Sequence, residues 1–303
     1  MFTRRTFLHT LGATAAGTAL AAPEPFQLRY VLSSALFGEM PLDTILPEVS
    51  RAGCEAIDIW CKVHGNQREQ IAEMGDEAFA ALLEKNHTRL GVSTRYPLGP
   101  MKLQDEMVWL KKLGGRMVVC GSSGPKNPVG AEAKAAMQKF MEDMKPHVAK
   151  AEELGVTIAI ENHANTALYH PDALRYFAEF NHSPALGVAL AFHHLHDWQE
   201  QIPALLRDLG AAQLPFIYFQ EYSEGISQKV AKEIEMQQMP GRGGGLDYRP
   251  VVQALRDIRF AGFTSIFMHP TPRGVPILPT AGEITAAVNQ SREYVERCLR
   301  ETA

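Results

Sequence analysis

The sequence predicts a (β/α)8 barrel, the TIM-barrel fold. Short apolar runs alternate with helical patterns along the chain, and there are eight such units. About 280 of the 303 residues follow an N-terminal leader, which is close to the usual length of this barrel. The alternative is a doubly wound open sheet. That fold normally has a glycine-rich first turn, and the segment Tyr30–Phe37 contains no glycine.

The apolar runs predict strands because they are short and rich in β-branched and aromatic residues. In order, they are Gln27–Ala35, Cys54–Trp60, Leu90–Thr94, Arg116–Cys120, Val156–Ile160, Leu186–Phe192, Pro215–Phe219 and Phe263–Met268. Segments with helical periodicity follow the runs: Leu42–Ala52, Asp76–Asn86, Gln104–Leu113, Ala131–Leu154, Pro171–Phe180, Trp198–Leu209, Tyr248–Arg259 and Ala281–Arg300. A helix between two strands favours parallel pairing through a right-handed crossover.

Alternation within the strands predicts which side chains face the barrel axis. In residues 156–161, large β-branched side chains alternate with Thr157, Ala159 and Glu161. We expect the large set to pack against the helices and the small set to face inward. The same parity predicts further inward-facing side chains: Asp58, Trp60, Lys62, Tyr218, Gln220, Phe267 and His269.

The N-terminus predicts export. Arg4 and Arg5 precede a mildly apolar run, Leu11–Leu20, which ends in the small-x-small pattern Ala19–Ala21. This pattern is typical of a twin-arginine signal, so we expect residues 1–21 to be removed and 22–303 to form one barrel domain in the periplasm. The alternative is a membrane-anchoring helix, for which the run is too short.

Composition excludes several functions. The formal net charge is −4 and the pI about 6.3, so no basic surface indicates nucleic-acid binding. After the leader, no apolar stretch is long enough for a membrane span. The four cysteines lack metal-site spacing and are expected to be free buried thiols: Cys54, Cys61, Cys120 and Cys298.

Polar residues collect where the predicted strands end, and in a barrel these ends meet at one mouth. Glu161 is the most informative, because a carboxylate inside a barrel needs a partner such as a metal or a sugar hydroxyl. The other interpretation pairs it with Lys126 or Arg95. Other polar side chains at strand ends are Lys62, His64, Asn162, His163, His193, His194, Gln220, Glu221 and His269.

Several motifs resemble the xylose-isomerase-like barrel superfamily, and more closely its exported members of the sugar phosphate isomerase/epimerase type. They are Ile160–His163, Gly187–His194, Pro240–Gly243 and Ser265–Pro270, together with Asp58–Gln67, Phe267–Gly274 and Ile277–Thr280. The resemblance covers essentially the whole mature chain and implies the barrel fold.

The resemblance also implies a metal site of Glu, Asp, His and Glu on strands five to eight, of which only Glu161 is plainly present. Ala191 stands at the Asp position and Phe267 near the final Glu. The substitute set is Glu161 with three residues nearby in the motifs: His194, Gln220 and His269. Imidazole ligands favour Mn, Fe, Co or Zn.

A metal of this kind would polarise a carbonyl and acidify the adjacent C–H. The implied function is a metal-dependent sugar isomerase, epimerase or lyase that works through an enediolate, with Glu161, His163 or Glu221 as the base. Export favours a non-phosphorylated carbohydrate, such as a free sugar or a 3-keto-glycoside. Predicted substrate-binding residues are Trp60, Lys62, His64, Arg95, Lys126, Arg242 and Arg273.

Two other functions remain open. The first is a carbohydrate-binding barrel without catalysis, which the residues Ala191 and Phe267 favour. The second is a metal-dependent nuclease, which would need a cationic surface that this chain lacks. Similar barrels often dimerise through their loop face, so a homodimer is also an expectation.

Overall fold

The computed structural model describes residues 26–302 and shows one closed barrel of eight parallel strands. The strands are β1 Arg29–Ser33, β2 Ala56–Trp60, β3 Leu90–Thr94, β4 Met117–Gly121, β5 Thr157–Glu161, β6 Leu186–Ala191, β7 Phe216–Phe219 and β8 Phe263–Ile266. Each strand pairs with its sequence neighbours, and β1 closes the ring against β8. The barrel prediction is confirmed, and the predicted leader lies outside the described residues.

Helices surround the barrel and cover its apolar outer wall. They are α1 Leu42–Arg51, α2 Gln67–Met74, α3 Asp76–Lys85, α4 Gln104–Lys112, α5 Gly130–Leu154, α6 Pro171–Phe180, α7 Ile202–Leu209, α8 Lys232–Met236, α9 Tyr248–Asp257 and α10 Ala281–Glu301. Within residues 26–302, none of these helices is both long and apolar enough to cross a bilayer.

The helix ends follow local chemistry. Thr280 and Glu283 form a reciprocal capping box at the start of α10. Gly155 ends α5 in the left-handed conformation that glycine adopts without strain.

The barrel interior is filled by aromatic rings. Trp60 on β2 stacks on Phe267, which follows β8, with ring centroids 5.0 Å apart. Tyr218 on β7 completes the layer at 6.3 Å from Trp60 and 5.2 Å from Phe267. The inward parity predicted for these three side chains is what the structure shows. They form a packed floor below the carboxyl ends of the strands.

Candidate active site

The carboxyl ends of the strands enclose two adjoining compartments. The first, called here the inner compartment, has a volume of about 340 Å³, and the second, the outer compartment, about 440 Å³. Three histidines line both of them: His64, His163 and His269. The inner compartment also contains Tyr96 and Glu161. The two volumes together are in the range of small-molecule sites in proteins.

Glu161 is the only carboxylate that lines the inner compartment among the described residues. It ends β5 and is 4% exposed. The hydroxyl of Tyr96 donates a hydrogen bond to its Oε2 atom. Burial raises the pKa of Glu161, while the nearby His163 and the Tyr96 hydrogen bond lower it. A carboxylate in a cavity is well suited to accept a proton when its pKa is raised.

Five histidines converge at the mouth. The ring of His194 lies 3.8 Å from that of His193 and 4.1 Å from that of His163, centroid to centroid. His269 lies 4.9 Å from His64 and 5.9 Å from His193. Histidines that stand at different strand ends in the sequence therefore form one cluster in the structure.

Four histidines of this cluster are held in the neutral form: His64, His193, His194 and His269. Burial lowers the pKa of His64 to about 4, and the cation of Arg273 contributes. Burial also lowers the pKa of His193, His194 and His269 well below the usual value, with further lowering from neighbouring histidines. At neutral pH each of these rings therefore offers one N–H donor and one acceptor.

A second buried carboxyl group lies below the aromatic floor. Asp58 is fully buried, and its two oxygens accept hydrogen bonds from Trp60 Nε1 at 2.6 Å and Thr94 Oγ1 at 2.8 Å. Burial raises its pKa to about 7, although both hydrogen bonds lower it. Asp58 fixes the indole of Trp60, whose ring in turn supports His64 and Tyr96 at centroid distances of 5.2 and 5.5 Å.

The four predicted metal ligands do not form a ready metal site. Gln220 donates to Gln238 Oε1 at 2.8 Å and lines neither compartment. Glu161 is engaged by Tyr96. In the stretch from residue 26 to residue 302, no group of three or more His, Cys, Asp or Glu side chains is arranged to hold a metal. These side chains are therefore not arranged as a metal site in this structure, and the four-ligand set stays a prediction.

Ala191 and Phe267 stand where the resemblance implies an Asp and a Glu ligand. The backbone N–H of Ala191 donates to Asn162 Oδ1 at 2.7 Å, and its carbonyl accepts from Asn162 Nδ2 at 3.1 Å. Phe267 packs in the aromatic floor. Neither side chain carries an atom that could bind a metal.

Glu221 lies away from the mouth, which corrects the expectation that it faces substrate with Glu161. Its carboxylate accepts hydrogen bonds from the backbone of Gly241 at 3.3 Å and Leu246 at 3.0 Å. It lines a separate cavity of about 230 Å³ between the segments that follow β6 and β7 and the glycine-rich loop of residues 241–246. Burial raises the pKa of Glu221 to about 7. The glycine-rich loop thus wraps Glu221 and does not cover the mouth.

Four predicted substrate-binding cations also lie outside the two compartments. Arg95 pairs with Glu106 at 3.7 Å, and Arg242 donates to Gln290 Oε1 at 2.6 Å. Lys62 and Lys126 are exposed. Glu161 has no ion pair with Arg95 or Lys126, so that interpretation of the buried carboxylate is wrong. Trp60 is 1% exposed and forms the floor, so its ring is not open for stacking on a sugar.

Tyr96 was not predicted from the sequence. It begins a short 3₁₀ turn, Tyr96–Leu98, directly after β3 and Arg95. An isolated tyrosine there is indistinguishable from a packing residue. The available signal was its position two residues after a strand end, the same criterion that identified His163 and His269.

The fold and mouth define a class: a (β/α)8 barrel with a buried carboxylate and a histidine cluster at the carboxyl ends of its strands. The chain belongs to the xylose isomerase-like TIM barrel family, whose model matches residues 46–294. No curated protein matches it significantly.

Solved structures agree with this fold. The IolI protein with a binding zinc atom is 17% identical, with a TM-score of 0.69 over 89% of this chain and 99% of that one. D-psicose 3-epimerase, solved in the presence of D-fructose, is 15% identical, with a TM-score of 0.66 over 90% and 99%. The probable 3-DHS dehydratase AsbF from Bacillus anthracis is 15% identical, with a TM-score of 0.64 over 88% and 99%.

Proposed function

We propose that this protein is a carbohydrate isomerase, epimerase or lyase that removes a proton next to a carbonyl, with Glu161 as the base. The observation that carries the proposal is a buried carboxyl group of raised pKa in a histidine-lined compartment. Family membership supports it, because similar barrels include an epimerase and a probable dehydratase. The substrate class is a non-phosphorylated sugar or 3-keto-glycoside.

The residues of the inner compartment have different roles in the proton transfer. Ionised Glu161 takes the proton from the carbon beside the carbonyl, and negative charge develops on the carbonyl oxygen. Once Glu161 is protonated, the Tyr96 hydroxyl is free to donate to that oxygen. His163 and His269 line the same space and supply further N–H donors. No step is routed through a metal, since the described side chains are not arranged as a metal site.

The fate of the enediolate decides the product. Return of the proton to the other face gives an epimer, and its return to the neighbouring carbon gives an aldose–ketose isomer. Departure of a β-substituent, which takes a proton from water as it leaves, gives a lyase. All three share the first step, so the test is designed for that step alone.

The test measures exchange of carbon-bound protons for solvent deuterium in a panel of free ketoses and 3-keto-glycosides. Wild-type protein is expected to catalyse exchange in at least one sugar. The Glu161→Gln variant should lose about 100-fold or more of that rate, because a positioned base contributes about this much. Glu179→Gln, an exposed carboxylate paired with Lys134, is the matched control and should exchange normally.

Two outcomes would contradict the proposal. Full exchange by a folded Glu161→Gln variant would remove Glu161 from the reaction. Sugar binding without exchange would favour the carbohydrate-binding barrel, which the residues Ala191 and Phe267 already support. Elemental analysis of the same preparation tests the metal: stoichiometric Mn, Fe, Co or Zn that disappears in His194→Ala plus His269→Ala would restore the substitute ligand set.

We also propose that the protein acts in the periplasm after twin-arginine export, on the sequence of residues 1–21 alone. Replacement of Arg4 and Arg5 by lysine should keep the protein in the cytoplasm with its leader uncut. Cleaved protein in the periplasm of that variant would contradict this route.

A further inference from the structure

The outer compartment differs from the inner one in charge. It is lined by the five clustered histidines, by Arg273, and by the hydroxyl residues Ser227 and Thr271. Among the described residues that line it there is no aspartate and no glutamate. It therefore contains one cation and no anion, whereas the inner compartment contains the anion Glu161.

Arg273 is held in place without a counter-ion. Its two terminal nitrogens donate to the backbone carbonyls of Pro270 at 2.6 Å and Ile226 at 2.8 Å. No carboxylate within residues 26–302 lies at ion-pair distance from it. Glu235 is near enough to act on its charge, but that carboxylate already binds Lys232 and the backbone N–H of Thr271. A fixed guanidinium with unbalanced charge attracts an anion.

The histidines add unpaired polar atoms to this cation. Nδ1 of His193, Nε2 of His194 and Nδ1 of His269 are buried and have no hydrogen-bond partner among the described residues. His193 is 3% exposed. Buried polar atoms are normally paired, so these three rings have unused hydrogen-bonding capacity beside Arg273.

We infer that the outer compartment binds a carboxylate carried by the carbohydrate, so that the substrate class is an acidic sugar such as a uronic acid or its glycoside. This inference rests on the proposed function for its sugar chemistry. The two compartments share His64, His163 and His269, and one ligand therefore spans both. The carbon next to the carbonyl lies with Glu161, and the acidic group lies with Arg273.

Charge matching distinguishes a carboxylate from a phosphate. A carboxylate has one negative charge, which the single guanidinium balances. A phosphate monoester has nearly two at neutral pH, and no lysine or second arginine lines this compartment among the described residues. The outer compartment is therefore matched to the singly charged group.

The test is an NMR titration of the histidine ring protons with D-glucuronate, D-glucose and D-glucose 6-phosphate at constant pH and ionic strength. Glucuronate should bind about tenfold more tightly than glucose, the advantage expected for one charge-assisted hydrogen-bonded contact. Glucose 6-phosphate should bind less tightly than glucuronate. Binding needs no turnover, so failure here is distinguishable from failure of Glu161 as the base.

Variants assign the effect to Arg273. Arg273→Gln should bring glucuronate to within about twofold of glucose, and Arg273→Lys, which keeps the charge, should retain part of the preference. Arg249→Gln, an exposed arginine paired with Asp247, is the control and should bind like wild type. If Arg273→Gln does not fold, the binding of glucuronate and glucose to wild-type protein is measured at increasing ionic strength. The preference for glucuronate should fall as salt screens the guanidinium charge.

Equal binding of glucuronate and glucose, or an advantage that survives in folded Arg273→Gln or at high salt, would overturn the inference. Tightest binding of glucose 6-phosphate would overturn the charge match and, with it, the non-phosphorylated substrate class.

Discussion

At the scale of single residues, the pairing of Tyr96 with Glu161 sets the behaviour of the proposed base. A hydrogen bond donated to a carboxylate stabilises its charged form and lowers its pKa. Burial of Glu161 acts in the opposite direction and is the larger effect. The net effect is a raised pKa, and without the Tyr96 hydrogen bond the pKa of Glu161 would be higher still.

Tyr96→Phe is expected to raise the pKa of Glu161 further, because the charged form loses its hydrogen bond. Since only ionised Glu161 accepts the proton, the acid limb of the pH profile should move to higher pH. The measurement is deuterium exchange as a function of pH. Tyr222→Phe, whose exposed ring stacks on His196, should leave the limb in place. An acid limb that stays fixed or moves to lower pH in Tyr96→Phe would contradict the pairing.

Residue roles were only partly predictable from sequence. Glu161, His64, His163, His194 and His269 were identified because each lies at or just after a strand end, and the structure brings them to one mouth. The same criterion also selected Lys62, Arg95 and Lys126, since a strand end does not reveal which way a loop turns. Glu221 shows the limit most clearly: it adjoins Gln220, and opposite side-chain parity is enough to place it behind the barrel wall.

At the scale of elements, the loop from Gly241 to Leu246 packs against the barrel through a position that tolerates only glycine. A Cβ atom on Gly244 would lie 2.4 Å from the carbonyl oxygen of Gln237 and 2.4 Å from Oε2 of Glu221. The loop approaches this closely because its amides bind the Glu221 carboxylate.

Gly244→Ala is therefore expected to destabilise the protein by about 1–3 kcal/mol, the usual range for overpacking. Gly282→Ala is the matched control, because Gly282 lies in the first turn of α10 with no atom within 4 Å of the new Cβ. That variant should be neutral or more stable by up to about 1 kcal/mol. Urea unfolding measures both, and equal stability of the two variants would show that the loop is not tightly packed.

The strands were predictable because apolar runs and turn residues bound them closely. The predicted and observed limits of β3 are identical, and those of the other strands differ by a few residues at most. The helices α2 and α8 were missed, because both are short and polar and lack a clear apolar face. The helix predicted from Trp198 begins instead at Ile202, after a 3₁₀ segment that carries His193 and His194 into the mouth.

At the scale of the whole molecule, barrel closure buries Asp58 and makes stability depend on its proton. Its pKa is near 3.8 when unfolded and about 7 in the folded barrel. Between these values the folded protein keeps a proton that the unfolded chain has released. The free energy of unfolding therefore falls as pH rises, and this stabilisation is complete below the unfolded value and lost above the folded one.

Between about pH 5 and pH 8, wild-type protein is expected to lose about 3 kcal/mol of stability through Asp58, from its folded pKa of about 7. Asp58→Asn keeps an acceptor oxygen but does not titrate, so this share of the loss should disappear. Urea unfolding at both pH values measures the difference. The exposed Asp105→Asn variant should show the full wild-type loss, and an equal loss in Asp58→Asn would contradict the burial argument.

The fold of the whole molecule was more predictable from the sequence than its site. Alternation of strands and helices is repeated eight times in the sequence, so the barrel follows from many independent signals. The site depends on single contacts between distant loops, such as Tyr96 with Glu161, 65 residues apart. No local pattern encodes such a contact.

The hydrogen bond from Trp60 to Asp58 gives the barrel an internal optical reporter. Indole emission responds to a nearby charge, and the Trp60 ring touches the ionising carboxyl group below it and the ligand-lining rings of His64 and Tyr96 above it. The other two tryptophans lie elsewhere, Trp109 beside Asp76 and Trp198 beside Tyr169. With both replaced by phenylalanine, the fluorescence of Trp60 alone would report the ionisation of Asp58 and the binding of a sugar in the same sample.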